Sequence, residues 1–419
     1  MVKTVKAVGI IVEYNPFHNG HYYHLHHSKK QTNADCIIAV MSGNFLQRGE
    51  PALVSKWTRT KMALEAGVDI VIELPYIFAT QKADVFANGA ISILHSLFCR
   101  EVCFGSEQGT IDDFLNTVVF LHKNDEEYQQ LMRQEIKKGY SYPKAASLAY
   151  SKLNINASFL DLSLPNNILG FHYVKAIKEQ GYEIKPCTIK RTSAHYHDEK
   201  FSSPSIASAT SIRKSLVETN NNIDEISNYI PSATKIHLQN YYNTNKTFHD
   251  WESYFHLLKY KLLTLSPVEL QTIYEVEEGL ENRLVANIRG ASSFNDFMNK
   301  MKTKRYTWTR LQRLCLHVLT HATKKEMAIH RHNNKKTSYV RLLGMNKNGQ
   351  NYLRQIKKDL KVPLIANVSS YFDEMIHLDL KVANTYACIL PEPLRSNVLK
   401  QEYANPPIRY DEEVNCFIR

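Results

Sequence analysis

The sequence predicts an α/β protein, with a doubly wound parallel sheet in its first half and a mostly helical second half. Short continuous apolar runs alternate with helix-like segments from residue 7 to about residue 105. The runs are apolar at nearly every position, as expected of strands covered on both faces. Beyond Leu216 the apolar residues recur at helical spacing instead.

Ala7 to Val12 (AVGIIV) is the first buried strand, and Gly20 to Gln31 the helix after it. Cys36 to Met41 (CIIAVM) is the second strand, followed by the loop Ser42-Gly43-Asn44-Phe45. Lys56 to Ala66 reads as helix ended by Gly67, and Asp69 to Leu74 (DIVIEL) as a third strand stopped by Pro75. Ala83 to Leu97 is helical, and Glu101 to Phe104 is a fourth strand ending at Gly105. Ligands of such sheets bind beyond the carboxyl ends of the strands, here after Val12, Met41 and Phe104. A boundary falls between residues 216 and 217, close to the Asn220-Asn221-Asn222 break. Tyr254 to Leu265 and Leu311 to Thr320 are helical, with mixed elements at Pro363 to Val368 and Ala387 to Leu390.

The length of 419 residues and the 43% hydrophobic content suit a soluble globular chain. No stretch approaches the ~20 apolar residues of a membrane span. Met1 to Gly9, with two lysines before an apolar run, imitates a leader. It runs on to Glu13 and a polar turn with no small-residue cleavage site, and so reads as a strand. Seven scattered cysteines point to reduced thiols and a cytoplasmic setting rather than a disulfide framework.

Net charge is +11. Between Lys300 and Lys361, seventeen Lys and Arg face only Glu326 and Asp359, so this window alone carries +15 and the remainder is acidic. Self-repulsion on that scale calls for a polyanionic partner, since solvated helical faces usually mix signs. Lys304, Arg305, Arg310, Arg313, Lys335, Lys336 and Arg341 are the nominated nucleic-acid contacts. Phe294, Tyr306 and Trp308 interleave with this set but read as core packing rather than base stacking.

The sharpest local signal is Glu13-Tyr14-Asn15-Pro16-Phe17-His18-Asn19-Gly20-His21, directly after the first strand and opening a helix. A helix N-terminus offers free N–H groups and partial positive charge to an anion. His18 and His21 share one side of that turn, as donors for charge building on a phosphate. Gly20 removes a side chain where a nucleoside would lie. His18, His21, His24 and His27 recur every three residues, but no carboxylate or Cys accompanies them at ligand spacing, so no protein metal site is expected.

These residues resemble the nucleotidyltransferase superfamily pattern G-x-F-D-P-x-H-x-G-H. Pro16, His18, Gly20 and His21 match, while Val12, Tyr14 and Asn15 replace its Gly, Phe and Asp. Ile206-Ala207-Ser208-Ala209-Thr210-Ser211-Ile212-Arg213 resembles the superfamily's I-S-S-T-x-I-R element, with Ala207 where a serine is usual. The narrower resemblance is to the bacterial tRNA cytidine acetate ligase family acting on elongator methionine tRNA. It runs over essentially the whole chain. Its motifs include Met41-Ser42-Gly43-Asn44-Phe45-Leu46-Gln47-Arg48-Gly49-Glu50-Pro51, Lys56-Trp57-Thr58-Arg59, Phe104-Gly105-Ser106-Glu107, Pro165-Asn166-Asn167-Ile168-Leu169-Gly170, Lys190-Arg191-Thr192 and Tyr306-Thr307-Trp308-Thr309-Arg310.

The resemblance implies a Rossmann-like nucleotidyltransferase domain over residues 1–216 and a helical, basic tRNA-binding domain over 217–419. It implies ATP, with Mg²⁺, as co-substrate, acetate as the acid, and elongator methionine tRNA as acceptor. Acetyl-adenylate forms first, and the exocyclic amine of the wobble cytidine then takes the acetyl group. His18 and His21 would stabilise the α-phosphorus, and Lys56 and Arg213 would neutralise the leaving pyrophosphate. ATP contacts would fall on Ile11, Val12, Glu13, Tyr14, Asn15, Pro16, Phe17, His18, Asn19, Gly20, His21, His24, Gly105, Asn166, Asn167, Arg191 and Thr210. Asn44, Gln47 and Arg48 are candidates for acetate or simply loop scaffolding, and Glu107 for Mg²⁺ or a helix cap. Two other functions share parts of this pattern: an adenylyltransferase making a nucleotide cofactor, and an RNA-binding protein with a decayed, sensing nucleotide site.

Overall fold

The structure, a computed structural model, describes residues 5–153, 159–191, 205–277, 279–332 and 335–418. Strands β1 (Ala7–Val12), β2 (Cys36–Ser42), β3 (Ile70–Leu74), β4 (Glu101–Ser106) and β5 (Lys185–Lys190) are all parallel, in the order β5-β4-β1-β2-β3. Helix α1 (Asn19–Thr32) joins β1 to β2, and α2 (Lys56–Glu65) joins β2 to β3. The short α3 (Tyr76–Ala79) and α4 (Ala83–Ser96) lead to β4. Four helices, α5 (Ile111–Lys123), α6 (Asp125–Lys137), α7 (Tyr142–Ser151) and α8 (Pro165–Glu179), separate β4 from β5. β5 escaped the sequence reading because Lys185, Pro186 and Lys190 dilute its apolar run. As an edge strand it tolerates a proline.

After α9 (Ala209–Glu218) come α10 (Ser232–Asn245), α11 (Trp251–Thr264), α12 (Pro267–Thr272), α13 (Leu280–Ile288), α14 (Phe294–Met301), α15 (Trp308–Thr320) and α16 (Lys324–His332). The chain then returns to the sheet. β6 (Val340–Asn346) lies antiparallel to β3, with Arg341 opposite Glu73. β7 (Leu364–Ile365) and β8 (Ile408–Asp411) pair with β6, and β9 (Cys416–Ile418) with β8. α17 (Lys347–Ile356), α18 (Glu374–Ala387) and α19 (Leu394–Ala404) fill the intervals.

The boundary expected at residue 216 therefore does not divide the sheet, which among the described residues takes four of its nine strands from the half read as helical. Val340–Asn346 was hidden inside the basic window by Arg341. Nor does the boundary divide the core. Ile38, Val40 and Ile72 share a buried cluster with Leu258, Leu314 and Tyr386. The alternate residues Ile37, Ala39 and Met41 face a second cluster, under α1, α2, α9 and α10. This period-two division is the doubly covered sheet that the apolar runs predicted.

The loop after β2 is clamped between the sheet and the helical layer. Trp251 Nε1 donates to Gly49 O (2.9 Å), and Gln312 Nε2 donates to Arg48 O (3.0 Å). Gly49 has φ +79°, and an added Cβ would stand 2.6 Å from the backbone N of Arg313, so both conformation and contact demand glycine.

Candidate active site

A cleft of about 1450 Å³ opens over the carboxyl ends of β1, β4 and β5. Its floor is the turn from β1 into α1. His18 is the N-cap residue of α1: its Nδ1 accepts from Gly20 N (3.1 Å), while His21 Nδ1 accepts from His18 N (3.3 Å). The two rings stack with centroids 3.7 Å apart. Burial lowers the His18 pKa to about 3, helped by Arg191 and Arg213. Burial also carries His21 well below the ordinary imidazole value, with His18 and Arg191 adding to it. Both rings are therefore neutral, and because Nδ1 accepts, the proton sits on Nε2. Gly20 has a nearer reason than nucleoside clearance: a Cβ there would stand 2.9 Å from His18 Cε1.

Cations gather around this turn. Arg213 donates from Nη1 to Asn15 O (2.9 Å) and from Nη2 to Glu50 Oε2 (2.8 Å), which fixes α9 to the loop after β2. Arg191 follows β5 and lines the cleft, as do Gly105, His24 and Thr210. Glu13 is half-buried in the wall, with Oε1 accepting from Gln47 N (2.8 Å). Arg59, fully buried, donates to the carbonyls of Glu13 (2.7 Å), Ser42 (3.0 Å) and Gly43, and so ties the ends of β1 and β2 together.

Most of the nominated nucleotide residues meet here. Ile11, Val12, Glu13, Tyr14, Asn15, His18, Gly20, His21, His24, Gly105, Asn166, Arg191, Thr210 and Arg213 all line the cleft. Pro16, Phe17, Asn19 and Asn167 stand behind it. Phe17 is buried in the core, Asn19 ties α1 to Ser205 O and Asn228 O (both 2.9 Å), and Asn167 bonds Gln108 N (3.1 Å). Glu107 is a cap: its carboxylate accepts from Asn166 N (3.2 Å), Asn166 Nδ2 (2.6 Å) and Asn167 N (2.8 Å) at the start of α8. Thr192 lies outside the described residues.

Lys56 requires correction. It is 1% exposed and absent from the cleft lining. Its ammonium bonds both oxygens of Glu73 (2.8 Å) and also Glu402, while Arg341 bonds Glu402 (2.7 Å) and Glu73 (3.1 Å). These four charges neutralise one another inside the fold and leave Lys56 none for a pyrophosphate. Arg341, nominated as a nucleic-acid contact, is 2% exposed in the same cluster. Asn44 is scaffolding too, accepting from Lys56 N (3.0 Å), whereas Gln47 and Arg48 face the cleft.

The basic window divides in two. Arg305, Arg310 and Arg313 line the cleft. Arg310 lies over the buried Tyr306 ring at 4.7 Å, and Arg313 is anchored through Nε to Glu275 (3.1 Å). Lys304 is exposed beside them but is not part of the lining. Lys335 and Lys336 go elsewhere. Lys336 sits 5.5 Å over Tyr182, between α8 and β5, and Tyr182 stacks on His95 at the end of α4. That places the two lysines at the amino ends of the strands, opposite the cleft. Sequence reasoning missed Lys82, Lys175, Lys178 and Lys190, which also line the cleft. Lys82 precedes α4, Lys175 and Lys178 lie on α8, and Lys190 ends β5, so no dense basic run in the sequence betrays them.

The family model described as HIGH Nucleotidyl Transferase matches residues 5–402. A tRNA(Met) cytidine acetate ligase of Geobacillus sp. (strain WCH70) is 55% identical over 405 residues, covering 96% of this chain and all of that protein. The ligase of that name from Bacillus subtilis (strain 168) is 50% identical over 416 residues, 99% of this chain and all of its own. The chain belongs to the tRNA(Met) cytidine acetate ligase family. Two crystal structures of Thermotoga maritima TmcAL share the whole architecture. The apo form superposes with a TM-score of 0.89 at 33% identity, and the form bound with alpha-thio ATP at 0.87 and 32%. Both alignments cover 97% of this chain and all of the Thermotoga chain. Within the ligase family frame, the His18–His21 turn is the HIGH element, and the cleft is the space that turn shares with the helical layer.

Proposed function

We propose that the chain activates acetate with ATP and transfers the acetyl group to the wobble cytidine of elongator tRNA(Met). The observation that carries this is the single cleft into which both the HIGH turn and Arg305, Arg310 and Arg313 open. An enzyme that adenylates only small molecules has no use for three arginines on the far wall. The names of the relatives and the ATP analogue in the Thermotoga structure support the same reading.

The chemistry follows from the groups present. The N-terminus of α1 and the two neutral Nε2–H groups donate to the α-phosphate oxygens as an acetate oxygen attacks phosphorus. Arg191 and Arg213 offset the charge of the departing pyrophosphate. Mg²⁺ would arrive with the triphosphate, whose oxygens supply its main ligands. Acetyl-adenylate then presents a carbonyl with a good leaving group to the cytidine amine, which the arginine wall delivers.

Incubation with labelled acetate and bacterial tRNA, with and without ATP, tests the proposal. ATP-dependent label in tRNA, mapped by nuclease digestion to the wobble cytidine of elongator tRNA(Met), is expected. Acetate-independent ATP–pyrophosphate exchange with no label in tRNA would overturn it.

A further inference from the structure

Acyl transfer to an exocyclic amine leaves one proton without a destination. When the cytidine nitrogen attacks the acetyl carbon, its lone pair forms the C–N bond, and the carbonyl π electrons move to oxygen. Collapse of that intermediate returns them and expels AMP with the pair of the broken C–O bond. The nitrogen must shed a proton on the way, and AMP, a weak base as it leaves, is a poor acceptor. His18 and His21 cannot take it, since their Nδ1 atoms already accept backbone protons and their Nε2 atoms are protonated.

One carboxylate in the cleft is placed for this. Resting on the acetyl-transfer reading above, we infer that Glu13 is the general base that removes the proton from the attacking amine. Glu13 follows the last residue of β1 and stands at the foot of the HIGH turn. Gln47 N holds its Oε1 at 2.8 Å, and Arg59 fixes its own carbonyl, so the side chain is positioned from both ends. No protein partner holds Oε2 among the described residues, and the residue lines the cleft. Other acids near the turn are already engaged: Glu50 is paired to Arg213, and Glu107 caps α8.

The charged neighbours set its basicity. Arg48 and Glu50 face it from the loop after β2 and Arg213 from α9, with Arg59 on α2 and Tyr173 on α8. His18 and His21 of α1 line the same cleft and are neutral. Burial raises the Glu13 pKa above the ordinary carboxylate value, Glu50 adds to this, and Gln47 N, Arg48 and Arg213 oppose it. A carboxylate so raised is a better proton acceptor near neutral pH than an exposed one.

The test separates the two half-reactions. Glu13→Gln keeps the shape and an oxygen for Gln47 N. It should lower single-turnover transfer from preformed acetyl-adenylate to tRNA ~10²–10⁴-fold, well beyond whatever loss it causes in acetate-dependent ATP–pyrophosphate exchange. Glu13→Asp should transfer at an intermediate rate. Wild-type transfer should decline as pH falls through the raised carboxylate pKa, and Glu13→Gln should lose that acidic limb. Unchanged transfer by Glu13→Gln, or equal losses in exchange and transfer in both variants, would overturn the assignment to Glu13 alone. Absence of acetyl transfer by the wild-type chain would overturn the acetyl-transfer reading and this inference together.

Discussion

Because Nδ1 of His18 and of His21 each accepts a backbone N–H, the helix that needs capping also selects the tautomer that serves an anion. Neither ring depends on being charged. With folded pKa values far below 6.5, both remain neutral donors across the physiological range. Acetate-dependent exchange should therefore show no imidazole titration between pH 8 and 5.5, and a fall centred near 6.5 would contradict the tautomer assignment. His21→Ala removes one donor and should slow exchange ~10²–10³-fold, with tRNA affinity in a filter-binding assay unchanged within a few-fold. The turn was legible in the sequence because its chemistry is local: nine consecutive residues carry the strand end, the cap and both donors. Glu13 lay within that stretch, but its role needed Gln47, thirty-four residues away, to become visible.

At the level of elements, the sheet and its cover are joined by charge as well as by packing. α19 sends Glu402 inward to Lys56 and Arg341. Burial alone would raise its carboxyl pKa, yet the two cations hold it at about 2. Removing one member leaves an uncompensated charge in the interior, which costs ~3–5 kcal/mol. Arg341→Met should lower the urea midpoint accordingly, whereas a stability loss under ~1 kcal/mol would mean the cluster is solvated. The sequence suggested the opposite role for Lys56 and Arg341, as contacts for phosphate. A lysine beside a motif and an arginine within a basic run look alike whether they face water or acids. Only the return of β6 to the sheet, at a register that sets Arg341 opposite Glu73, distinguishes them. The first four strands and the long helices between them were readable from periodicity; the later strands were too short or too mixed.

Across the whole molecule, one cleft gathers Arg191, Arg213, Arg305, Arg310 and Arg313, while a second basic surface stands at the opposite end of the sheet. Reversing Arg305 and Arg310 to Glu should weaken tRNA binding and reduce the slope of log K against log salt by ~0.7–0.9 for each phosphate no longer neutralised. Reversal of Lys335 and Lys336 should leave binding nearly unchanged, and equal effects of the two pairs would extend the interface around the molecule. Acid is a second molecule-wide test. Burial lowers His18, His249 and His317 to about 3 and His172 to about 4, each below the value near 6.5 of an unfolded chain. The unfolded state binds more protons throughout that interval, so stability is lost as pH falls from about 6.5. Thermal melts should decline steadily from pH 7 to about 5.5, before ordinary carboxylates titrate.

Translation releases a chain from its N-terminus, and the buried charges are spaced with no regard for that order. Lys56 and Glu73 leave the ribosome early, Arg341 much later, and Glu402 lies 346 positions after Lys56. A nascent chain holding β1 to β5 can pair those strands, yet β3 remains an open edge with an acidic residue awaiting its arginine. The strands that carry the HIGH turn thus depend on a much later stretch of polypeptide for a closed, neutral interior, and synthesis past Glu402 precedes a finished site.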